Sequence, residues 1–137
     1  YTDEKLSFLL EDSSIKEVVS PYYMARIVDF VEFIKDYKFK KSDIETRSWK
    51  FVLTDPILEE NQGTFNLIID KNGKAHAEKI EEHCDDEISI QTMTTMLMGY
   101  KRPEYLYKIG RIKADKEIVE MLENSIAQDV PYISDYF

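Results

Sequence analysis

Trp49-Lys50-Phe51-Val52-Leu53 and Phe65-Asn66-Leu67-Ile68-Ile69 decide the fold. In the first, Trp49, Phe51 and Leu53 alternate with Lys50 and Val52, the period of a half-buried strand. In the second, Phe65, Leu67 and Ile69 repeat that period. Asp55-Pro56 ends the first strand, and a loop runs to Gly63. Asn72-Gly73 follows the second strand. It predicts a type I′ hairpin turn, whose two central residues both need positive φ. Lys74 to Ile80 is then the returning strand. Its apolar side is thin, so it belongs at an edge or faces solvent.

Upstream, Met24 to Val28 reads as a short strand that delivers the chain into a helix. Asp29 has the chemistry of an N-cap, and Glu32 at N3 would complete a capping box. Val28 and Phe33 would form the accompanying hydrophobic staple. Phe30, Phe33, Ile34 and Tyr37 continue at helical spacing. Downstream, Ser89 can cap a helix carrying Ile90, Met93, Met96, Leu97 and Tyr100. Gly99 and Pro103 break it. Tyr105, Leu106 and Ile109 make a helical turn closed by Gly110. Asp115 can cap a last helix with Ile118, Val119, Leu122 and Ile126 inside. Strands and helices mix without a βαβ alternation, which predicts an α+β domain.

The chain has 137 residues, enough for one domain. Residues 1–20 read as a lead-in, and Pro21 marks a boundary, leaving 21–137 as the domain. The chain opens on Tyr1 rather than Met, as a processed chain or part of a longer one does. Eighteen basic residues against 27 acidic ones give a net charge of −9, which repels phosphate backbones and argues against nucleic acid. A single cysteine, Cys84, rules out an internal disulfide and suits a reducing cytoplasm. No signal peptide is visible, and no apolar run approaches the ~20 residues that cross a membrane.

Pro21-Tyr22-Tyr23-Met24-Ala25-Arg26-Ile27-Val28-Asp29 resembles the opening of the C-terminal domain of Eis-like GNAT N-acetyltransferases. Further similar segments follow in order. They are Asp55-Pro56 through Asn61-Gln62-Gly63-Thr64-Phe65, Ile90 to Tyr100, Tyr105 to Arg111, and the aromatic ending Pro131 to Phe137. The resemblance implies a sterol-carrier-like domain of about five strands packed against several helices. It implies two preceding GNAT domains in the same polypeptide, the first binding acetyl-CoA as co-substrate. It implies acetyl transfer to an amine, in some members on aminoglycosides or lysine side chains, and assembly into homo-oligomers such as hexamers.

The same resemblance assigns the general base to the α-carboxylate of the last residue, here Phe137, and brings Asp135 and Tyr136 near the substrate. An attacking amine must lose a proton during acyl transfer. A free α-carboxyl has a pKa of about 3.3–3.7, and burial among Tyr132, Tyr136 and Phe137 would raise it. Solvated chain ends are usually small and polar, so this aromatic one reads as docking into protein. The plainer reading packs it on its own domain. Gly63, Gly73, Gly99 and Gly110 are isolated, so no phosphate-cradling loop is present and this chain alone is expected neither to bind acetyl-CoA nor to be active.

Other residues invite chemistry and have simpler explanations. His76, His83 and Cys84 with Asp85 and Asp86 fit no zinc spacing and read as surface polar groups, and Cys84 has no basic partner that would activate it. Met93, Met96 and Met98 could line an apolar-ligand tunnel, but Met also fills irregular cores. Arg26 is expected in an ion pair with a carboxylate such as Asp29 or one on another domain. Asp3, Glu4, Glu59, Glu60, Glu81 and Glu82 read as solvated surface that could also attract a cationic amine. The alternative to an enzyme part is a module that binds an apolar ligand or drives oligomerisation.

Overall fold

A computed structural model describes residues 24–129 and residue 131. The predicted lead-in 1–20 and the tail residues Asp135, Tyr136 and Phe137 lie outside the described residues. Helix α1 spans Phe30–Asp36, followed by β1 (Thr46–Thr54), a 3-10 turn (Glu59–Asn61), β2 (Gly63–Asp70), β3 (Ala75–Ile80) and β4 (Glu87–Ser89). Then come α2 (Ile90–Leu97), α3 (Pro103–Lys108), β5 (Ile112–Lys113) and α4 (Lys116–Ser125). The strands form one mixed sheet in the order β3-β2-β1-β4-β5, an α+β arrangement of five strands and four helices. Among the described residues only the β1–β4 pairing is parallel.

The β1–β2 pairing sets Trp49 opposite Leu67 and Phe51 opposite Phe65, so both inward rows meet on one face. Phe30 of α1 stands edge-on to Phe51 and Phe65, with ring centroids 5.8 and 5.4 Å away. Aromatic rings favour this geometry because a positive ring edge meets a negative face. Phe30, Phe51 and Phe65 are fully buried, each worth about 1.5–3 kcal/mol of transfer free energy. Met93 and Met96 join that core, whereas Met98 is exposed.

The helix caps follow the sequence at two of three positions. Asp29 accepts from the Glu32 amide at 3.0 Å, and Ser89 accepts from the Thr92 amide at 3.2 Å. Asp115 precedes α4 but makes no side-chain cap bond. Glu32 pairs with Lys35, one helical turn on. Val28 is 66% exposed, so the expected staple with Phe33 does not bury it.

Two local expectations are corrected. Met24 to Val28 is not a strand. Its polar backbone is held by side chains: the Ile27 amide donates to Thr94 Oγ1 at 3.2 Å, and Asn61 Nδ2 donates to the Val28 carbonyl at 2.9 Å. The β2–β3 turn is not type I′, because Asn72 does not take positive φ while Gly73 does, at +86°. The Gly73 amide donates to Asp70 O at 3.1 Å and the Asp70 amide to Lys74 O at 2.9 Å, giving a longer turn with glycine at its left-handed position. Asp70 Oδ1 stabilises that turn by accepting from the Asn72 and Lys74 amides. The returning strand β3 does lie at the sheet edge, as its thin apolar pattern predicts.

Candidate functional site

Two segments converge on α2 and the connection after it, and three polar groups, two of them buried, fasten this part of the domain. The first is the segment that enters the domain. Asp55 closes β1 with its carboxylate fully buried. Its Oδ1 accepts from Arg26 at 2.5 Å and from the amides of Ile57 and Leu58 at 3.0 and 3.1 Å. Its Oδ2 accepts from Asn61 Nδ2 at 2.9 Å. Asn61 Oδ1 in turn accepts from the Phe30 amide at 2.9 Å, so the Asp55–Asn61 unit anchors the start of α1. Arg26 therefore pairs with Asp55 rather than Asp29, and from an irregular segment rather than a strand.

Burial alone would push the Asp55 carboxyl up, but the hydrogen bonds from Asn61, Ile57, Leu58 and Arg26 outweigh it. They hold Asp55 well below the usual carboxylate range. An unfolded aspartate titrates near 3.9, so on acidification the unfolded chain takes up this proton first. The stability Asp55 supplies is complete above about pH 4 and is lost as pH falls further toward the folded value. Urea midpoints taken through the acid range should drop below about pH 4, and Asp55→Asn should flatten that part of the profile. A wild-type profile no steeper than that of Asp55→Asn would contradict the assignment.

The second segment leaves α4 toward the C-terminus. Arg102, which precedes α3, donates from Nε to Glu123 Oε1 at 2.7 Å and from its terminal nitrogens to the carbonyls of Glu123 and Ala127 at 2.7 and 2.8 Å. The Glu123 carbonyl lies in the last turn of α4, where carbonyls lack helical partners and favour a cation, and Ala127 lies two residues past the helix. Beyond them the backbone crosses Gly99. A Cβ placed on Gly99 would lie 2.1 Å from the Asp129 carbonyl oxygen, and Gly99 has φ +75°. Gly99→Ala is expected to cost about 1–3 kcal/mol and to raise amide exchange at 126–129. Gly110→Ala has the same φ problem but nothing within 4 Å, so it should cost less. Equal costs would show that the close approach contributes nothing.

The third group is Arg47, buried at the start of β1. It donates to Ser125 Oγ at 2.9 Å, Lys40 O at 3.0 Å and Asp70 O at 2.7 Å, joining α4, the loop after α1 and the end of β2. Burial lowers its pKa and the nearby Asp70 carboxylate opposes that; its terminal nitrogens meet neutral acceptors, its buried Nε has no partner among the described residues, and the guanidinium stays charged. Neither Arg47 nor Arg102 is among the residues the sequence singles out. For Arg47 a signal existed: it continues the inward row Trp49, Phe51, Leu53 two residues upstream. For Arg102 only its place beside Pro103 hinted at a helix start.

The remaining sequence candidates are scattered. His76 is exposed on β3, His83 meets Asp85 at 3.2 Å, and Cys84 Sγ donates to Lys50 O at 3.0 Å. Asp86 accepts from Trp49 Nε1 at 2.8 Å. Among the described residues no three His, Cys, Asp or Glu side chains lie close enough to hold a metal. Glu59, Glu60 and Glu81 are exposed, and Glu82 pairs with Lys50 at 2.7 Å. Asp3 and Glu4 lie outside the described residues. Among the described residues no helix is long and apolar enough to cross a membrane.

A family model for the sterol carrier protein domain matches residues 30–134. A conserved protein of Enterococcus faecalis V583, described as a probable N-acyltransferase, superposes on 98% of this chain with a TM-score of 0.85 at 28% identity. GCN5-related N-acetyltransferases from Anabaena variabilis ATCC 29413 and Kribbella flavida superpose on 82% of it with TM-scores of 0.70, at 21% and 17% identity. At those identities the last two show the fold alone. This chain spans 34% of the Enterococcus chain and 28% of each of the others. No curated protein matches it.

Proposed function

This chain belongs to the sterol carrier protein domain family, and from that premise we propose that it is the C-terminal domain of a GNAT-type, Eis-like N-acetyltransferase, closing the acceptor site of a polypeptide whose preceding domains bind acetyl-CoA. The observation that carries this reading is the match of nearly the whole chain to one third of a probable N-acyltransferase. Arg102 and Gly99 fix the backbone at Ala127 and Asp129, from which the tail that ends at Phe137 continues.

In the proposed reaction the acceptor amine attacks the acetyl carbonyl carbon. A C–N bond forms, the C–S bond to coenzyme A breaks, and the amine proton passes to the Phe137 carboxylate. The departing thiolate takes a proton from an acid in the preceding domains. Asp135 and Tyr136 would flank the amine. The reading requires that the native polypeptide end at Phe137, and it places the full-length protein in the cytoplasm as a homo-oligomer.

The test uses the full polypeptide with acetyl-CoA and, in turn, an aminoglycoside and a lysine-containing peptide. Amine-dependent release of the coenzyme A thiol, with a matching mass increase on the amine, is the expected result. Acetyl-CoA consumed at the same rate with and without amine would overturn the assignment. Binding of an apolar ligand gains no support from the core, where Phe51, Phe65, Met93 and Met96 are fully buried in one cluster.

A further inference from the structure

Five of the nine large apolar side chains exposed among the described residues fall between 98 and 109: Met98, Tyr100, Tyr105, Tyr107 and Ile109. Three of them form one surface. Tyr105 and Ile109 lie four residues apart, on one side of α3 and its C-terminal turn. Tyr100 joins them through Lys101, whose ammonium sits 5.0 Å from the Tyr100 ring centroid and 5.3 Å from that of Tyr105. Tyr100, Tyr105 and Ile109 are 60%, 49% and 51% exposed. Scattered apolar exposure is ordinary, but a contiguous aromatic surface marks an interaction site.

We propose that the Tyr100–Tyr105–Ile109 surface is where the preceding acyl-donor domains of the same polypeptide dock. The proposal rests on the acetyltransferase reading above and names the partner face for it. Its geometric warrant is the convergence of the two chain segments. The segment arriving from upstream touches α2 at Thr94, and the segment leaving toward the C-terminus crosses Gly99. Those positions are five residues apart, Thr94 on α2 and Gly99 two residues past its end. Tyr100 follows Gly99 directly. The first and last described stretches of the chain, at Ile27 and Asp129, thus both lie beside α2 and the connection that follows it, next to Tyr100. In the Enterococcus relative, about two thirds of the chain lies outside the part that this domain matches.

A second copy of this surface is a poorer occupant. In a two-fold contact the patch meets itself, which sets Lys101, between Tyr100 and Tyr105, against its own copy. The preceding domains face no such restriction.

The test places the photo-crosslinking residue p-benzoylphenylalanine at Tyr105 in the full-length polypeptide. The same residue at Ile44, which is 59% exposed in the loop before β1, serves as control. The expected result is a crosslink from position 105 to a peptide upstream of residue 1, within one copy and several-fold stronger than any from position 44. A crosslink to 130–137, a crosslink that doubles the mass, or no excess over the control would each overturn the proposal. Upstream crosslinks in a polypeptide that transfers no acetyl group would leave the docking face standing and remove the acetyltransferase reading. Amine-dependent transfer without upstream crosslinks would do the reverse.

Discussion

Deleting Phe137 from the full-length polypeptide, or adding one residue after it, is expected to lower kcat by about 10²–10⁴-fold, the usual contribution of a positioned general base. Either change moves the terminal carboxylate by one residue length, about 3.3–3.6 Å in extended chain, which takes it out of hydrogen-bond reach of the amine. The fold should survive, because the core cluster of the described residues, from Ile27 to Ile126, is already closed by α1, α2 and the β1–β2 hairpin. Melting temperature and steady-state kcat measured on the same preparations separate the two effects. Unchanged turnover in both variants would remove the base from Phe137. A parallel loss of melting temperature would show instead that the tail is part of the core.

Asp55→Ala is expected to destabilise the domain by about 3–5 kcal/mol, the range for breaking a buried, hydrogen-bonded charge pair from one side. The loss is large because four donors converge on this carboxylate: Arg26, the Ile57 and Leu58 amides and Asn61 Nδ2. All four would have to find water or move, and Asn61 would loosen its hold on the first amide of α1. Arg26→Ala should cost less, about 1–3 kcal/mol, since the Asp55 carboxylate keeps its three other donors and the Arg26 side chain is already 31% exposed. Urea midpoints of the two variants decide it. A cost for Arg26→Ala equal to that for Asp55→Ala would mean that the ion pair, rather than the amide and Asn61 network, carries the stability.

The central hairpin is legible because large apolar residues recur at every second position on its inward face. Trp49 and Phe51 answer Leu67 and Phe65 across the β1–β2 register with no other periodicity competing. Strands β4 and β5 are invisible for the opposite reason. Three residues and two residues are too few to show a period, and they pair because β1 and the turn after α3 bring them together. Met24 to Val28 misleads because an apolar run before a helix cap looks like a strand, whereas Thr94 and Asn61 satisfy its backbone from the side. The site is harder to read than the fold. Arg102 and Gly99 acquire their roles only when α4's exit crosses the α2–α3 connection, from residues more than twenty positions away. Arg26 is singled out correctly as an ion-pair residue, yet its partner Asp55 lies 29 residues on, and local spacing points to Asp29 instead.

The most direct measurement is a structure of the full-length polypeptide with acetyl-CoA bound, read for the position of the Phe137 carboxylate. The account predicts that carboxylate within about 3 Å of where the acceptor amine nitrogen must sit to attack the acetyl carbon. A carboxylate lying on the surface of its own domain, or a polypeptide that continues past Phe137, would contradict it.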